Sequence, residues 1–258
     1  MISGPTGPEH TDTTLAERVE DQRWPSPARI APPLHTIFFV LLLLAFSYFS
    51  AQSQHQFSHR HGRTALYAAT IAWEWALVGY VALGVRKRIK LRELAGGRWR
   101  TIGDVAADIA IGIVFWMAAS LVLGAIGYAI GLGRPEQAEQ MRRTLGFLVP
   151  HSLTELGLFL AVSATAGFCE EIIFRGYFLR QFAAAARSAW AGVVLQALLF
   201  GASHAYEGRP RMALIAIYGV MFGALAIARR SLRPGMIAHA LQDASAGTAM
   251  YFFLHSGR

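Results

Sequence analysis

The sequence predicts an all-α fold, a polytopic bundle of membrane-spanning helices. Hydrophobic residues make up 54% of the 258 positions, charged residues only 16%, and the mean hydropathy is +0.36. A typical soluble domain has about a quarter charged residues. The formal net charge of +8 would suit nucleic acid, but the apolar excess is larger than a soluble core of this size needs. We therefore expect the lipid bilayer as a partner and no nucleic acid.

The first 33 residues predict a disordered tail. They contain six of the ten prolines, five acidic and three basic residues, and few large apolar side chains. Such a segment buries too little surface to offset the entropy of ordering. We therefore divide the chain into a disordered cytoplasmic tail at 1–33 and a transmembrane helical domain at 34–258.

The apolar runs predict seven transmembrane helices. Crossing the hydrocarbon takes roughly 20 mostly apolar residues. The first run, at 34–51, lacks the basic region and cleavage site of a secretory signal and is therefore predicted to remain as an anchor. The others lie at 64–85, 104–131, 147–183, 189–205, 211–228 and 234–254. Pro150 could separate a short interfacial piece from the fourth run, so eight is the alternative count.

The basic loops predict the orientation. Lys and Arg are retained on the cytoplasmic side of membranes, and the connection after the second run is strongly basic. Its basic residues are Arg86, Lys87, Arg88, Lys90, Arg92, Arg98 and Arg100. With this loop inside, the N-terminus is cytoplasmic. Because Lys87 and Lys90 are the only lysines among 24 basic residues, a GC-rich bacterial genome, and hence the inner membrane of a bacterium, is expected.

Three polar clusters interrupt the apolar runs. Ionisable side chains inside membrane helices are costly and are therefore functional candidates. The clusters are Glu170-Glu171-Ile-Ile-Phe-Arg175, Phe200-Gly-Ala-Ser-His204 and His239-Ala-Leu-Gln-Asp243. Glu74, between Trp73 and Trp75, could line the same cavity, but a place in an interfacial aromatic belt or a local hydrogen bond is the favoured interpretation.

The spacing in the first cluster predicts different roles for its two acids. Glu171 and Arg175 are four residues apart, so they lie on one helical face as an ion pair. Glu170 is turned about 100° away from Glu171 and has no cation on its own helix. We therefore predict that Glu170 is the catalytic acid.

The clusters can meet in space. In a hairpin that turns near Arg187, Glu170 and His204 each lie 17 residues from the turn and hence at one level. His239 and Asp243 are four residues apart on one face. The carboxylate of Asp243 can accept the proton of one imidazole nitrogen or join His239 as a metal ligand.

Two mechanisms follow from these residues, and the sequence leaves both open. Glu170 can act as a general base on water held by the histidines, which then stabilise the developing oxyanion. Alternatively, His204, His239 and Glu170 can bind a divalent metal such as zinc with an open position for water. Either arrangement would hydrolyse an amide bond.

The three clusters resemble motifs of the CPBP family of intramembrane proteases, the CAAX proteases and bacteriocin-processing enzymes, also called the Abi family. EEIIFR is similar to its EExxxR motif, FGASH to FxxxH, and HALQD to HxxxN or HxxxD. The resemblance covers about 147–254, which would be the catalytic core. It implies a fold related to the type II CAAX prenyl endopeptidases, with a cavity opening toward the cytoplasm.

The resemblance also implies roles for the site residues. It makes Glu170 the acid that activates water and gives supporting roles to Glu171, Arg175, His204, His239 and Asp243. Many family members have Asn at the last position, whose amide could donate to an oxyanion. Ionised Asp243 has no hydrogen to donate, so the resemblance does not extend an oxyanion role to it.

We therefore expect an integral membrane endopeptidase, of glutamic or metallo type, acting on a membrane-associated or lipidated peptide or protein. Two alternatives use the same residues. One is a transporter or proton relay in which the buried acids and histidines form a hydrogen-bonded chain. The other is a catalytically inactive scaffold of the same fold.

Overall fold

The computed structural model describes residues 28–96 and 98–256, and within these ranges it contains helices and no strands. The predicted all-α fold is therefore confirmed. The α-helices, numbered in chain order, are α1 Pro33–His61, α2 Arg63–Val85, α3 Leu91–Leu94, α4 Ile102–Ala129, α5 Pro135–Leu145, α6 Leu153–Glu170, α7 Leu179–Ala186, α8 Ala189–Ser203, α9 Arg209–Arg229 and α10 Arg233–Ser256. Residues 1–27 of the predicted tail lie outside the described residues.

Within the described ranges, four segments are long and apolar enough to cross a membrane: α2, α4, the continuous helix Leu153–Ala186 and α9. The apolar parts of α1 (Pro33–Phe49) and α8 are shorter. α10 does not reach the same hydropathy because its sequence includes His239 and Asp243. A membrane protein is therefore supported, while the count of seven or eight and the orientation stay predictions.

Side-chain caps set several helix boundaries. The Thr101 hydroxyl accepts a hydrogen bond from the backbone N–H of Asp104 at 3.1 Å, and the Asp104 carboxylate accepts from the Thr101 N–H. This capping box begins α4. At the start of α8, the Ser188 hydroxyl accepts a hydrogen bond from the backbone N–H of Ala191, directly after Arg187 adopts a left-handed φ of 52°. The chain therefore turns between α7 and α8 at the predicted position.

A π-helix lies at the centre of the molecule. α6 continues without a break into Glu171–Phe178, which is π-helical, and then into α7. All eight π-helical residues are buried, and Ile172, Ile173 and Phe174 belong to the main apolar core. π-Helical turns inside α-helices are rare and occur frequently at functional sites. The sequence analysis did not predict this one.

α6 and α10 cross at very short range. A Cβ atom on Gly167 would lie 2.7 Å from the Ala240 backbone nitrogen and 2.8 Å from the Met236 carbonyl oxygen. Small residues permit such approach of helix backbones in membrane proteins. Because Gly167 precedes Glu170 by one turn and Met236 precedes His239 by one turn, the crossing brings the first and third clusters together.

Candidate active site

Glu170 lies between the two predicted histidines. Its Oε1 is 4.0 Å from His204 Nε2, and its Oε2 is 3.6 Å from His239 Nε2. The Glu170 side chain is 14% exposed, so the group is largely shielded yet still reachable from outside. The structure therefore brings together the three residues predicted to carry the chemistry.

Glu171 and Arg175 form the predicted ion pair. Arg175 Nη1 lies 3.0 Å from Glu171 Oε1, and the side chains are 0% and 1% exposed. The guanidinium also lies over two aromatic rings, 4.3 Å from the centroid of Phe200 and 4.7 Å from that of Phe222. The cation is therefore compensated by one carboxylate and by ring faces, and Phe200 links it to the second motif.

The same carboxylate holds His239. Glu171 Oε1 is 3.2 Å from His239 Nδ1. A carboxylate oxygen only accepts, so Nδ1 carries the hydrogen. With Nδ1 bonded to Glu171, the opposite ring nitrogen, Nε2, faces Glu170.

The ring of His204 is oriented by its own helix. Its Nδ1 donates a hydrogen bond of 2.8 Å to the carbonyl oxygen of Phe200, because a carbonyl only accepts. Its Nε2 is therefore the nitrogen facing Glu170. The Phe200 ring packs edge-on against His204 with centroids 4.8 Å apart, as its position one turn earlier predicts.

Asp243 lies beside His239 on the same face of α10, as predicted, but too far for a hydrogen bond. Its Oδ2 lies 3.8 Å from His239 Nε2, which is beyond hydrogen-bond range. Asp243 therefore makes no hydrogen bond to the imidazole in this geometry, and Glu171 is the carboxylate that contacts Nδ1 of His239. The alternative role of Asp243 as a metal ligand stays a prediction. The Asp243 side chain is 37% exposed, so it lies at the open side of the cluster.

Glu74 is buried in the structure. Its side chain is 9% exposed. The interpretation of Glu74 as part of an interfacial belt is therefore wrong. An acid within an apolar run was already a signal, but the flanking tryptophans suggested the membrane surface.

The donor set does not match a metal site as it stands. The two imidazole nitrogens lie 3.6 and 4.0 Å from Glu170 oxygens. Within the described parts of the chain, no three His, Cys, Asp or Glu side chains are placed to hold a metal ion. The zinc mechanism stays a prediction.

A groove of about 500 Å³ lies outside this cluster. Its walls include Phe168 on α6, Met236 and Ile237 on α10, and the arginines Arg98 and Arg233. Phe168 is about 200° around α6 from Glu170. The groove and the catalytic cluster therefore lie on different sides of α6.

Comparison with known protein families finds one match for the segment that contains this cluster. Residues 152–245 match the model described as type II CAAX prenyl endopeptidase Rce1-like. This segment of the chain is similar to the Rce1-like family. The resemblance predicted from the three motifs is thereby confirmed, and the Rce1-like match indicates a protease. No curated protein and no solved structure matches the chain.

The matched segment contains every predicted site residue from Glu170 to Asp243. Glu74 lies outside it, on α2. The Rce1-like match and the apolar helices together support a membrane-embedded CAAX-type endopeptidase.

Proposed function

We propose that this protein hydrolyses a peptide bond with a water molecule activated by Glu170. The observation that carries the proposal is the position of the Glu170 carboxylate, within 4.0 Å of both imidazole Nε2 atoms. A carboxylate with no cation of its own and with two imidazoles facing it is suited to general-base catalysis.

In the proposed mechanism, water binds beside Glu170 and between the two Nε2 atoms. Polar groups separated by more than 3.5 Å are commonly bridged by water. Glu170 takes a proton from this water as it attacks the carbonyl carbon of the substrate, and later returns the proton to the departing amine. One residue thus acts first as base and then as acid.

His239 is suited to stabilise the oxyanion. When its imidazole is protonated, Nε2 carries a hydrogen that can be donated to the developing charge. The Glu171 carboxylate favours this protonated form because it accepts from Nδ1 at 3.2 Å. In this proposal His239 takes the donor role that Asn would have in many family members. Asp243 then stabilises the positive charge of the imidazole rather than donating to the oxyanion.

We propose a membrane-associated substrate, and a lipidated peptide as the first to test. The description of the matched family names prenylated CAAX sequences, in which a lipidated cysteine precedes three residues. The site lies among helices apolar enough to be embedded in a bilayer.

The test uses the full chain in lipid nanodiscs and a quenched fluorescent peptide with a prenylated cysteine. We expect the wild type to cleave it and Glu170→Gln to be slower by about 10²–10⁴-fold, the usual contribution of a general base. Glu139→Gln is the matched control, since Glu139 lies on α5 in an exposed ion pair.

Three results would contradict the proposal. Wild-type turnover by a folded Glu170→Gln variant would exclude Glu170 as the base. Loss of activity on metal chelation, restored by zinc, would favour the metal-assisted mechanism. Proton flux into vesicles without peptide cleavage would indicate a proton relay.

A further inference from the structure

The groove of about 500 Å³ beside α6 combines apolar and basic side chains. Its apolar wall consists of Phe168 on α6 and of Met236 and Ile237 on α10, and its basic rim consists of Arg98 and Arg233. No acidic residue is among the described residues that line it. The groove therefore offers apolar contact and positive charge to the same occupant.

Hydrogen bonds and ring contacts hold the basic rim in place. Arg233 Nη2 donates a hydrogen bond of 2.8 Å to the carbonyl oxygen of Gly96, and its guanidinium lies 4.8 Å from the ring centroid of Trp99. The indole Nε1 of Trp99 in turn donates at 2.8 Å to Asp108 Oδ2. Side chains that are already ordered lose less entropy when a ligand binds. Arg233 is therefore positioned to receive a ligand.

The charges beside the groove do not cancel. Arg233 Nη1 lies 3.5 Å from Asp108 Oδ2, and Arg229 Nη2 lies 3.8 Å from Asp108 Oδ1. The single carboxylate of Asp108, 7% exposed, is thus shared by two guanidinium groups. Arg98, an exposed residue of the basic rim, adds a third positive charge. The net positive charge favours an anionic occupant.

The charged and apolar parts of the groove follow one another along the helices. Arg233 is the first residue of α10, and Trp99 and Arg98 lie in the connection that precedes α4. Met236 of the apolar wall is three residues, or about 5 Å, further along α10. Tryptophan and arginine at the ends of membrane helices are typical of the interface with the lipid headgroups. A phospholipid has its charged and apolar parts in the same order.

We propose that this groove binds one anionic phospholipid, with its phosphate on the basic rim and an acyl chain along the apolar wall. Guanidinium groups donate directed, charge-assisted hydrogen bonds to phosphate oxygens. A free phosphate would leave the apolar wall uncovered, and a zwitterionic headgroup would bring a cation to the basic rim. Phe168 is turned about 200° around α6 from Glu170, so the bound lipid is not the cleaved substrate.

The groove adjoins the crossing of α6 and α10. Met236 contributes to the apolar wall, and its carbonyl oxygen belongs to the close contact at Gly167, the residue before Phe168. A chain packed on both side chains therefore favours the approach that places Glu170 Oε2 3.6 Å from His239 Nε2. The bound lipid should raise the activity. This consequence rests on the proposed function, whereas the binding itself does not.

The binding test uses the full chain in nanodiscs of phosphatidylcholine with increasing phosphatidylglycerol. Native mass spectrometry then counts the lipids that the protein retains. We expect the wild type to retain one phosphatidylglycerol, and Arg98→Gln to bind it about fivefold more weakly, the contribution of one basic residue beside an anionic lipid. Arg98→Lys keeps the charge and should lose less. Arg100→Gln is the matched control, because it removes the same charge from the same connection outside the groove lining.

Three binding results would overturn the proposal. Equal losses in Arg98→Gln and Arg100→Gln would indicate a general attraction of the basic connection for anionic membranes. Equal retention of phosphatidylcholine would show that the groove does not select an anion. Displacement of the lipid by soluble glycerol phosphate at equal concentration would indicate a site for the phosphate alone.

The activity test separates the lipid site from the proposed function. Wild-type turnover of the prenylated peptide should rise with phosphatidylglycerol, and Arg98→Gln should need about fivefold more of it for the same increase. Glu170→Gln should bind the lipid as the wild type does and remain slow. Selective binding without any cleavage would count against the proposed function alone. Cleavage without selective binding would overturn the lipid site alone, and turnover that ignores a bound lipid would overturn its effect on the crossing.

Discussion

Two Glu–Arg pairs in this protein have the same spacing and nearly the same length but opposite surroundings. Glu171 and Arg175 are four residues apart with N–O at 3.0 Å, and the side chains are 1% and 0% exposed. Glu139 and Arg143 are also four apart, at 2.9 Å, with exposures of 43% and 79%. The four-residue spacing predicts contact in both pairs. How much each ion pair contributes to stability depends on whether it is buried or exposed to solvent.

The surroundings also determine what else each pair does. On α5, Glu139 contacts Arg142 and Arg143, and both arginines remain in solvent. In the π-helical turn, Glu171 contacts Arg175 and the imidazole of His239. Only the buried pair therefore connects helix stability to the geometry of the site.

The largest expected effect is that of breaking the buried pair. Arg175→Met leaves the Glu171 carboxylate without its cation, which should cost roughly 3–5 kcal/mol of stability, and Glu171→Gln should also destabilise. The double variant should recover part of the loss, because both charges are then removed. A double-mutant cycle on thermal unfolding in one detergent measures this coupling; strict additivity would show that the two side chains do not interact.

A smaller effect is expected from widening the α6–α10 crossing. The Cβ of Gly167→Ala would meet the backbone of Ala240 and Met236, so the helices must separate at a cost of about 1–3 kcal/mol. The shift moves His239 from Glu170, and activity should fall about tenfold or more, since misplacement by 1 Å can cost about a hundredfold.

Gly157→Ala is the matched control on the same helix. A Cβ at Gly157 would have no atom within 4 Å, so the melting temperature and the turnover should stay unchanged or rise slightly. A Gly167→Ala variant that behaves like this control would show that the close crossing does not position the site.

The smallest effect is expected from the exposed pair. Hydrogen bonding to Arg143 and the charge of Arg142 lower the pKa of Glu139. A lowered pKa stabilises the fold above the ordinary glutamate range, and this contribution is lost as pH falls through the lowered pKa. Since solvent screens the pair, Arg143→Gln should leave the melting temperature unchanged at pH 7 and pH 4; a clear drop at pH 7 would remove the contrast with Arg175.

The sequence alone was sufficient for the helical class, the hairpin turn at Arg187 and the three motifs. These depend on local properties: long apolar runs favour helices in a bilayer, and residues four apart on a helix face lie together. The pairing of Glu171 with Arg175 is a short-range consequence of this kind, and so is the orientation of His204 by Phe200.

The tertiary structure alone decided which partner each side chain of the site has. Glu171 rather than Asp243 accepts from Nδ1 of His239, and Glu74 is buried on a helix that lies outside the family match. These contacts join residues far apart in the chain, and they depend on the close crossing at Gly167 and on the π-helical turn after Glu170. Spacing across the hairpin places Glu170 and His204 at one level, but hydropathy and spacing do not determine how closely two helices pack or which side chains then touch.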